Sequence, residues 1–146
     1  MASIYDTSDN TQLINRIQNL SATSTPLWGK MSVDQMCEHC IAAINVAFGK
    51  QDLTISFPMR LLGRLLKNKA FNSDFGKNSP TAKEFRITSH SDFEKSQAQL
   101  IACVQEFTKG TSVITIMHHP FWGKMSFEDW DKLMYRHLDH HLRQFG

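Results

Sequence analysis

Two histidines on the last predicted helix, His137 and His141, occupy positions where that helix should bury apolar side chains. Residues four apart on a helix project from one face, with their Cβ atoms about 5–6 Å apart. Burying two titratable imidazoles is unfavourable unless something binds them. Because imidazole pairs at this spacing suit a metal ion, the two residues are predicted to be metal ligands.

The helix that carries these histidines is predicted to run from Ser126 to about Gln144. Its apolar residues recur at three- and four-residue steps, which is typical of a stripe that faces a protein core. The stripe consists of Phe127, Trp130, Leu133, Met134 and Leu138. At about 100° per residue, its middle members bracket the direction of His137, so we expect His137 to face the core.

A third histidine, His39, lies on an earlier helix that begins in the same way. PLWGKMS at 26–32 and PFWGKMS at 120–126 are nearly the same heptapeptide, and each leads into a helix. We interpret the repeat as helix-entry chemistry, with glycine for the turn, methionine packed across the cap and serine as the N-cap. Counted from the cap serines, His39 is seven residues into its helix and His137 is eleven. The difference is one turn, so both side chains point the same way relative to their helix starts.

His39, His137 and His141 are therefore predicted to converge on one divalent metal ion. Alone, His39 would be interpreted as a partly buried histidine bonded to a carbonyl, and HxxxH is a weak motif in a chain with seven histidines. Three protein ligands leave coordination positions open, as in reactive rather than structural sites. Imidazoles suit zinc, nickel, iron or copper, so the metal stays open. Gln144 is expected to accept a hydrogen bond from the N–H of a ligand histidine, and His140 is expected to lie at the rim of the site.

The remaining histidines and the cysteines are predicted to take no part in chemistry. His118 and His119 lie at the far end of the last helix and are predicted to be loop residues. Cys37 and Cys40 lie inside a helix without a second CxxC, so we interpret them as small buried hydrophobes. The sequence contains no GxSxG, P-loop, GxGxxG or HExxH motif, which disfavours the corresponding nucleophile, nucleotide and zincin chemistries.

Length and composition indicate one small domain spanning 1–146. No apolar run approaches the roughly 20 residues that span a bilayer, and the start shows no secretory pattern, so no membrane partner is expected. Three cysteines are too few and too odd in number for a disulfide framework, which favours a reducing cytoplasm. The net charge of +2 comes from scattered basic residues, so no nucleic-acid partner is expected either.

The chain is predicted to be all-α, because it lacks the strand–helix alternation of α/β folds. Four main helices are expected at about 10–20, 32–48, 91–109 and 126–144. Two of them begin at predicted capping boxes, Ser32 with Gln35 and Ser91 with Glu94. The segment 112–117 is β-prone but has no partner strand, so it is predicted to be an extended connection.

A long crossover, 49–90, separates the second and third main helices and exceeds what a structureless loop usually spans. It is predicted to carry an extra short helix at 58–67, with Pro58 in its first turn. Four apolar side chains of this helix are expected to face inward. They are Met59, Leu62, Leu65 and Leu66.

MCEH at 36–39 and HLDHHLRQ at 137–144 resemble the DinB/YfiT-like superfamily, and the tail 135–146 with HPFWGKMS resembles a branch of unassigned function. The resemblance spans nearly the whole chain. It implies a four-helix bundle whose second and third helices run parallel, with His39, His137 and His141 binding a divalent metal. The common His-Arg-Gly-Gln ending of the family is His141-Leu-Arg-Gln144 here, and His140 is an addition.

Characterised members of that superfamily include bacillithiol S-transferases and a mycothiol-dependent maleylpyruvate isomerase. The resemblance therefore implies a metal-dependent transferase that uses a low-molecular-weight thiol on a small-molecule substrate, and a homodimer. A metal-dependent hydrolase is the second hypothesis, and it ranks lower because Glu38 and Asp139 point away from the stripes. The third is a non-catalytic metal-binding protein of a stress response.

Overall fold

The structure is a computed structural model that describes residues 1–146, and five α-helices dominate it. The helices are α1 (Thr7–Gln18), α2 (Val33–Ala47), α3 (Phe57–Asn72), α4 (Phe93–Glu106) and α5 (Phe127–Gln144). Two 3-10 segments are also present, Lys83–Phe85 and Phe107–Val113, with one hairpin of β1 (His118–His119) and β2 (Gly123–Lys124). The prediction of a mostly helical chain is confirmed. None of the helices combines the length and the apolar character that crossing a bilayer requires.

The hydrophobic core lies between α1, α2, α4 and α5. Both α1 and α2 pack against α4 and α5. The largest fully buried side chains of this core include Trp130, Phe107, Leu13 and Met36. The predicted stripe of the last helix is buried except for Phe127 at its first turn, which is 42% exposed. The core thus fixes the rotation of α2 and α5 about their own axes.

The ends of α2 follow from its sequence. At its start, the Ser32 N–H donates to Gln35 Oε1 at 3.1 Å, as the predicted capping box requires. At its end, Gly49 has a φ of +71°, and its N–H bonds to the Val46 carbonyl. A Cβ at Gly49 would lie 2.5 Å from Thr115 Oγ1, so both conformation and space require glycine.

Two predicted helix starts are wrong. The first helix begins earlier than expected, because the Asp6 carboxylate accepts from two backbone N–H groups of the first turn. The third main helix, α4, is capped by Asp92 and not by a box of Ser91 and Glu94. Asp92 Oδ1 accepts from the Lys95 N–H at 3.0 Å. Aspartate and serine are equally good N-caps, so the sequence alone does not decide between Ser91 and Asp92.

The extra helix of the crossover, α3, is longer than predicted, and its orientation was predicted wrongly. Its four supposedly inward residues are 42% to 73% exposed. The helix instead touches the rest of the chain through Gly63, where a Cβ would collide with the Phe121 carbonyl. Phe71 is buried, and Lys67 Nζ lies 2.7 Å from Asp129 Oδ2. Apolar periodicity identifies an amphipathic helix but does not say which side the chain covers.

The connection between α4 and α5 also departs from the prediction. Its first part, through Val113, consists of 3-10 turns interrupted at Gly110, whose φ is +81°, and only the following residues are extended. His119 is not a simple loop residue, because it lies in β1 and is 6% exposed. Its Nδ1 accepts from the backbone N–H groups of Phe121 and Trp122 at 3.0 and 3.3 Å. His119 thereby holds the turn that leads into α5.

Candidate metal centre

The second and last main helices bring three histidines together, as predicted. His39 extends from α2, and His137 and His141 extend from α5. One nitrogen of each imidazole lies within 4.8 Å of the other two. His39 Nε2 and His137 Nε2 are 3.0 Å apart. His39 and His141 are buried, and His137 is intermediate in exposure.

The spacing of these nitrogens fits the donor set of a divalent ion. A tetrahedral zinc with Zn–N bonds of about 2.0–2.1 Å places its nitrogens about 3.3 Å apart. The His39–His137 distance of 3.0 Å is slightly shorter than this, and the wider pairs stay within 4.8 Å. Small side-chain rotations therefore separate the present arrangement from a coordination shell.

Hydrogen bonds on the far side of the rings fix the tautomers of two of the histidines. His39 Nδ1 lies 2.9 Å from the Phe85 carbonyl oxygen, which can only accept, so Nδ1 carries the proton. Gln144 Nε2 donates to the Trp28 carbonyl at 2.7 Å, which orients the amide. Gln144 Oε1 therefore accepts from His141 Nδ1 at 2.9 Å. Both rings thus direct an Nε2 lone pair at the cluster, as ligating histidines do.

All three imidazoles are held neutral. Burial lowers the pKa of His39, and burial together with the neighbouring His39 ring lowers the pKa of His141 to about 3. Burial lowers the pKa of His137 well below its ordinary value, and the His141 and His39 rings lower it further. Metal binding requires uncharged imidazoles, so at neutral pH no proton has to be released to solvent before an ion binds.

Gln144 and His140, the two residues predicted to surround the ligands, both lie beside His141. Gln144 is buried and bonds His141, as described above. The His140 ring lies 5.1 Å from the His141 ring, centroid to centroid, but its nitrogens do not join the cluster. It packs instead between Trp28 at 5.6 Å and Phe75 at 6.0 Å. His140 is therefore part of an aromatic rim.

A segment of the crossover, 73–86, covers the histidines. The Phe75 ring meets His137 edge-on at 6.3 Å, and the Phe85 ring packs against His39 in addition to its carbonyl contact. Asp74 fastens this segment to α5 through a 3.5 Å ion pair with Arg136. The aromatic rings limit the access of water to the cluster and leave it in an apolar surrounding.

No acidic residue joins the cluster. Glu38, although adjacent in sequence to His39, accepts from Ser96 Oγ at 2.6 Å and is not part of the cluster. Asp139 pairs with Arg16 at 2.7 Å and with Arg143 at 3.1 Å. The orientation predicted for both carboxylates agrees with these contacts. Neither of them is placed to act as a base at the three imidazoles.

The cysteines of α2 are not reactive nucleophiles. Burial raises the pKa of Cys37 to about 12, with smaller contributions from nearby carboxylates. Burial also raises the pKa of Cys40 well above its ordinary value. Their interpretation as small buried residues agrees with a relative exposure of 1% or less for both.

Sequence reasoning missed the backbone contributions to the site. The heptapeptide at 26–32 was interpreted only as helix-entry chemistry, yet the Trp28 carbonyl orients Gln144. The Phe85 carbonyl orients His39 from a segment predicted to be part of a long connection. A carbonyl acceptor has no side-chain signature. In contrast, Gln144 is recognisable because it lies three residues after His141 on the same helix.

Fold and site together define a mostly helical protein that presents three neutral histidines to one point. The chain belongs to a family described as proteins of unknown function, DUF1569, which matches residues 5–146. That match contains all five helices and the three histidines. The chain matched no curated protein and no solved structure.

Proposed function

We propose that this protein is a metal-dependent enzyme of the DinB-like superfamily, with α1, α2, α4 and α5 as the four helices of its bundle. His39, His137 and His141 would hold one divalent ion, zinc, nickel or iron. The proposed reaction is the transfer of a low-molecular-weight thiol to an electrophilic small molecule. The observation that carries the proposal is the pair of fixed tautomers, which aim two Nε2 lone pairs at the point shared with His137.

The chain's own residues would bind and orient the ion. The Phe85 carbonyl and the Gln144 amide keep the His39 and His141 rings from rotating. When bound, a divalent ion supplies Lewis acidity that lowers the pKa of a coordinated thiol. The Phe75 and Phe85 rings exclude water and thereby protect a thiolate from hydration.

The nucleophile in this proposal comes from solution, because none of the three cysteines of the chain joins the histidine cluster. The sulfur of the added thiol would form a bond to the electrophilic carbon, the leaving group would take the bonding electrons, and the thiol proton would pass to solvent. Cys37 and Cys40 are buried thiols with raised pKa values, so they cannot replace it.

Hydrolysis remains the second candidate function, with the same ion activating water. It ranks lower because Glu38 and Asp139 are engaged with Ser96, Arg16 and Arg143 rather than with the site. A bundle that binds metal without turnover is the third candidate.

Elemental analysis of protein purified without a histidine tag tests the metal site directly. We expect about one divalent ion per chain in the wild type, and loss of the ion in His137→Ala. His118→Ala is the matched control, because His118 is exposed and lies outside the cluster. Equal metal content in the two variants would contradict the assignment.

The reaction is tested by incubating metal-loaded protein with 1-chloro-2,4-dinitrobenzene and, in turn, cysteine, glutathione, bacillithiol and mycothiol. Thiol-dependent loss of the electrophile that His137→Ala lacks would support transfer. Cleavage of esters without any thiol would favour hydrolysis instead. Tight metal binding without either activity would favour the non-catalytic alternative.

A further inference from the structure

The most exposed apolar surface of the protein lies on α3. Six of the ten exposed large hydrophobic residues belong to this one helix, each 42% to 78% exposed. They are Phe57, Met59, Leu61, Leu62, Leu65 and Leu66. We call them the outer face of α3. Concentration of exposed apolar side chains on one element marks an interaction surface, unlike the scattered exposed residues elsewhere.

The outer face is opposite to the side by which α3 is attached. Gly63 and Phe71 are buried against the chain, and Lys67 is bonded to Asp129. At 100° per residue, the six apolar side chains fill an arc of about 200° centred on the other side. The attachment of α3 therefore leaves this whole arc without a partner in the chain.

The charge of α3 has a single sign. The helix contains Arg60, Arg64, Lys67 and Lys69 and no acidic residue. Lys67 is neutralised by Asp129, whereas Arg60, Arg64 and Lys69 form no ion pair. Arg60 lies on the attached side of the helix, where its Nε donates to the Ile55 carbonyl at 3.0 Å. At 100° per residue, Arg64 borders the apolar arc and Lys69 lies within it, in the last turn of the helix. A broad apolar arc combined with unpaired cations is the pattern of helices that lie in a membrane interface.

We propose that α3 docks on the surface of an anionic phospholipid bilayer. The outer face would enter the boundary between headgroups and acyl chains, and Arg64 and Lys69 would meet the lipid phosphates. A second copy of the chain fits this surface less well. Packing α3 on α3 would bring Arg64 and Lys69 of one copy near those of the other, with no acidic residue of α3 between them.

An interfacial α3 differs from the sequence-based expectation of no membrane partner. That expectation depended on the lack of an apolar run long enough to span a bilayer, and an interfacial helix needs no such run. It is independent of the proposed enzyme function, because α3 contains none of the three histidines.

Vesicle co-sedimentation tests the proposal. The untagged protein is mixed with vesicles of phosphatidylcholine alone, or of phosphatidylcholine with about a third phosphatidylserine. We expect binding to the anionic vesicles only, weakening as salt is raised. Leu65→Asp, at a side chain that is 73% exposed, should reduce binding at least tenfold. Leu27→Asp is the matched control, because Leu27 is 71% exposed outside α3, and it should bind as the wild type does.

Charge is tested separately from apolar area. Removing the two unpaired cations at the outer face, in the double variant Arg64→Gln and Lys69→Gln, should weaken binding about fivefold for each charge. We expect every variant to fold, because all the substituted side chains are exposed, and thermal melting verifies it.

Three results would overturn the proposal. The first is equal sedimentation with neutral and anionic vesicles, or none with either. The second is an equal loss of binding in Leu27→Asp and Leu65→Asp. The third is a wild type that does not bind vesicles but forms a dimer, seen by light scattering, which the substitution Leu65→Asp dissociates. That result would assign the outer face to a contact between two chains.

Discussion

A bound metal ion should stabilise this protein strongly, because it would join distant parts of the chain. The perturbation is removal of metal with a chelator, followed by addition of zinc in slight excess. His39 and His137 are 98 residues apart in sequence, so an ion held by both binds the folded state and not the unfolded one. Their neutral state at pH 7 means that little of the binding free energy is spent on releasing protons.

The size of the effect follows from mass action. At free zinc about 1,000 times the dissociation constant, the free energy of unfolding rises by about 4 kcal/mol. For a chain of this length each kcal/mol shifts the melting temperature by about 2–4 °C, so zinc should raise it by about 8–16 °C.

Calorimetric melting of the chelated and zinc-loaded forms is the assay. The wild type and His118→Ala should show the full shift, and His137→Ala should show almost none. An equal zinc shift in His137→Ala and the wild type would refute the reasoning, because the stabilising ion would then lie elsewhere. A wild type that does not respond to zinc, nickel or iron would refute it as well.

Three further predictions concern residues around the site and the turn before α5. Gln144→Ala should weaken zinc binding about 10–100-fold, because the His141 ring loses the hydrogen bond that fixes its tautomer. Gln12→Ala, at an exposed position of α1, is the control and should bind zinc as the wild type does. Isothermal titration calorimetry measures both affinities. Burial lowers the pKa of His119 to about 4, so the unfolded state binds more protons between about pH 6.5 and 4. Stability should therefore fall as the pH is lowered through that range. In denaturant titrations, the free energy of unfolding should drop by about 3 kcal/mol less between pH 6.5 and 4 in His119→Asn than in the wild type. Gly63→Ala should loosen α3, because its Cβ meets the Phe121 carbonyl; faster proteolysis within 49–57 at an unchanged zinc shift would show it.

The three histidines could be predicted because their orientation depends on local rules. A capping serine sets where each helix starts, and the helical period then sets which face His39 and His137 occupy. The apolar stripes fix which face is inward, since the core between α2 and α5 has to be filled. Gln144 follows from the same argument, being one turn beyond His141.

What could not be predicted depends on pairing between distant segments. The Phe85 carbonyl reaches His39 from 46 residues away, and nothing in the local sequence specifies that approach. The face of α3 is a similar case. Its periodicity is equally compatible with an inward or an outward stripe, and Gly63 decides because only a residue without a Cβ can approach Phe121 so closely.

The separation of His39 from His137 also orders events during synthesis. At about 5–20 residues per second, the ribosome needs about 5–20 s to add the 98 residues between them. Until α5 emerges, α2 offers a single imidazole, too little to retain an ion against cellular competitors. A metal ion at the proposed site would therefore bind only after α5 has emerged, and prematurely terminated chains that lack α5 would not hold it there.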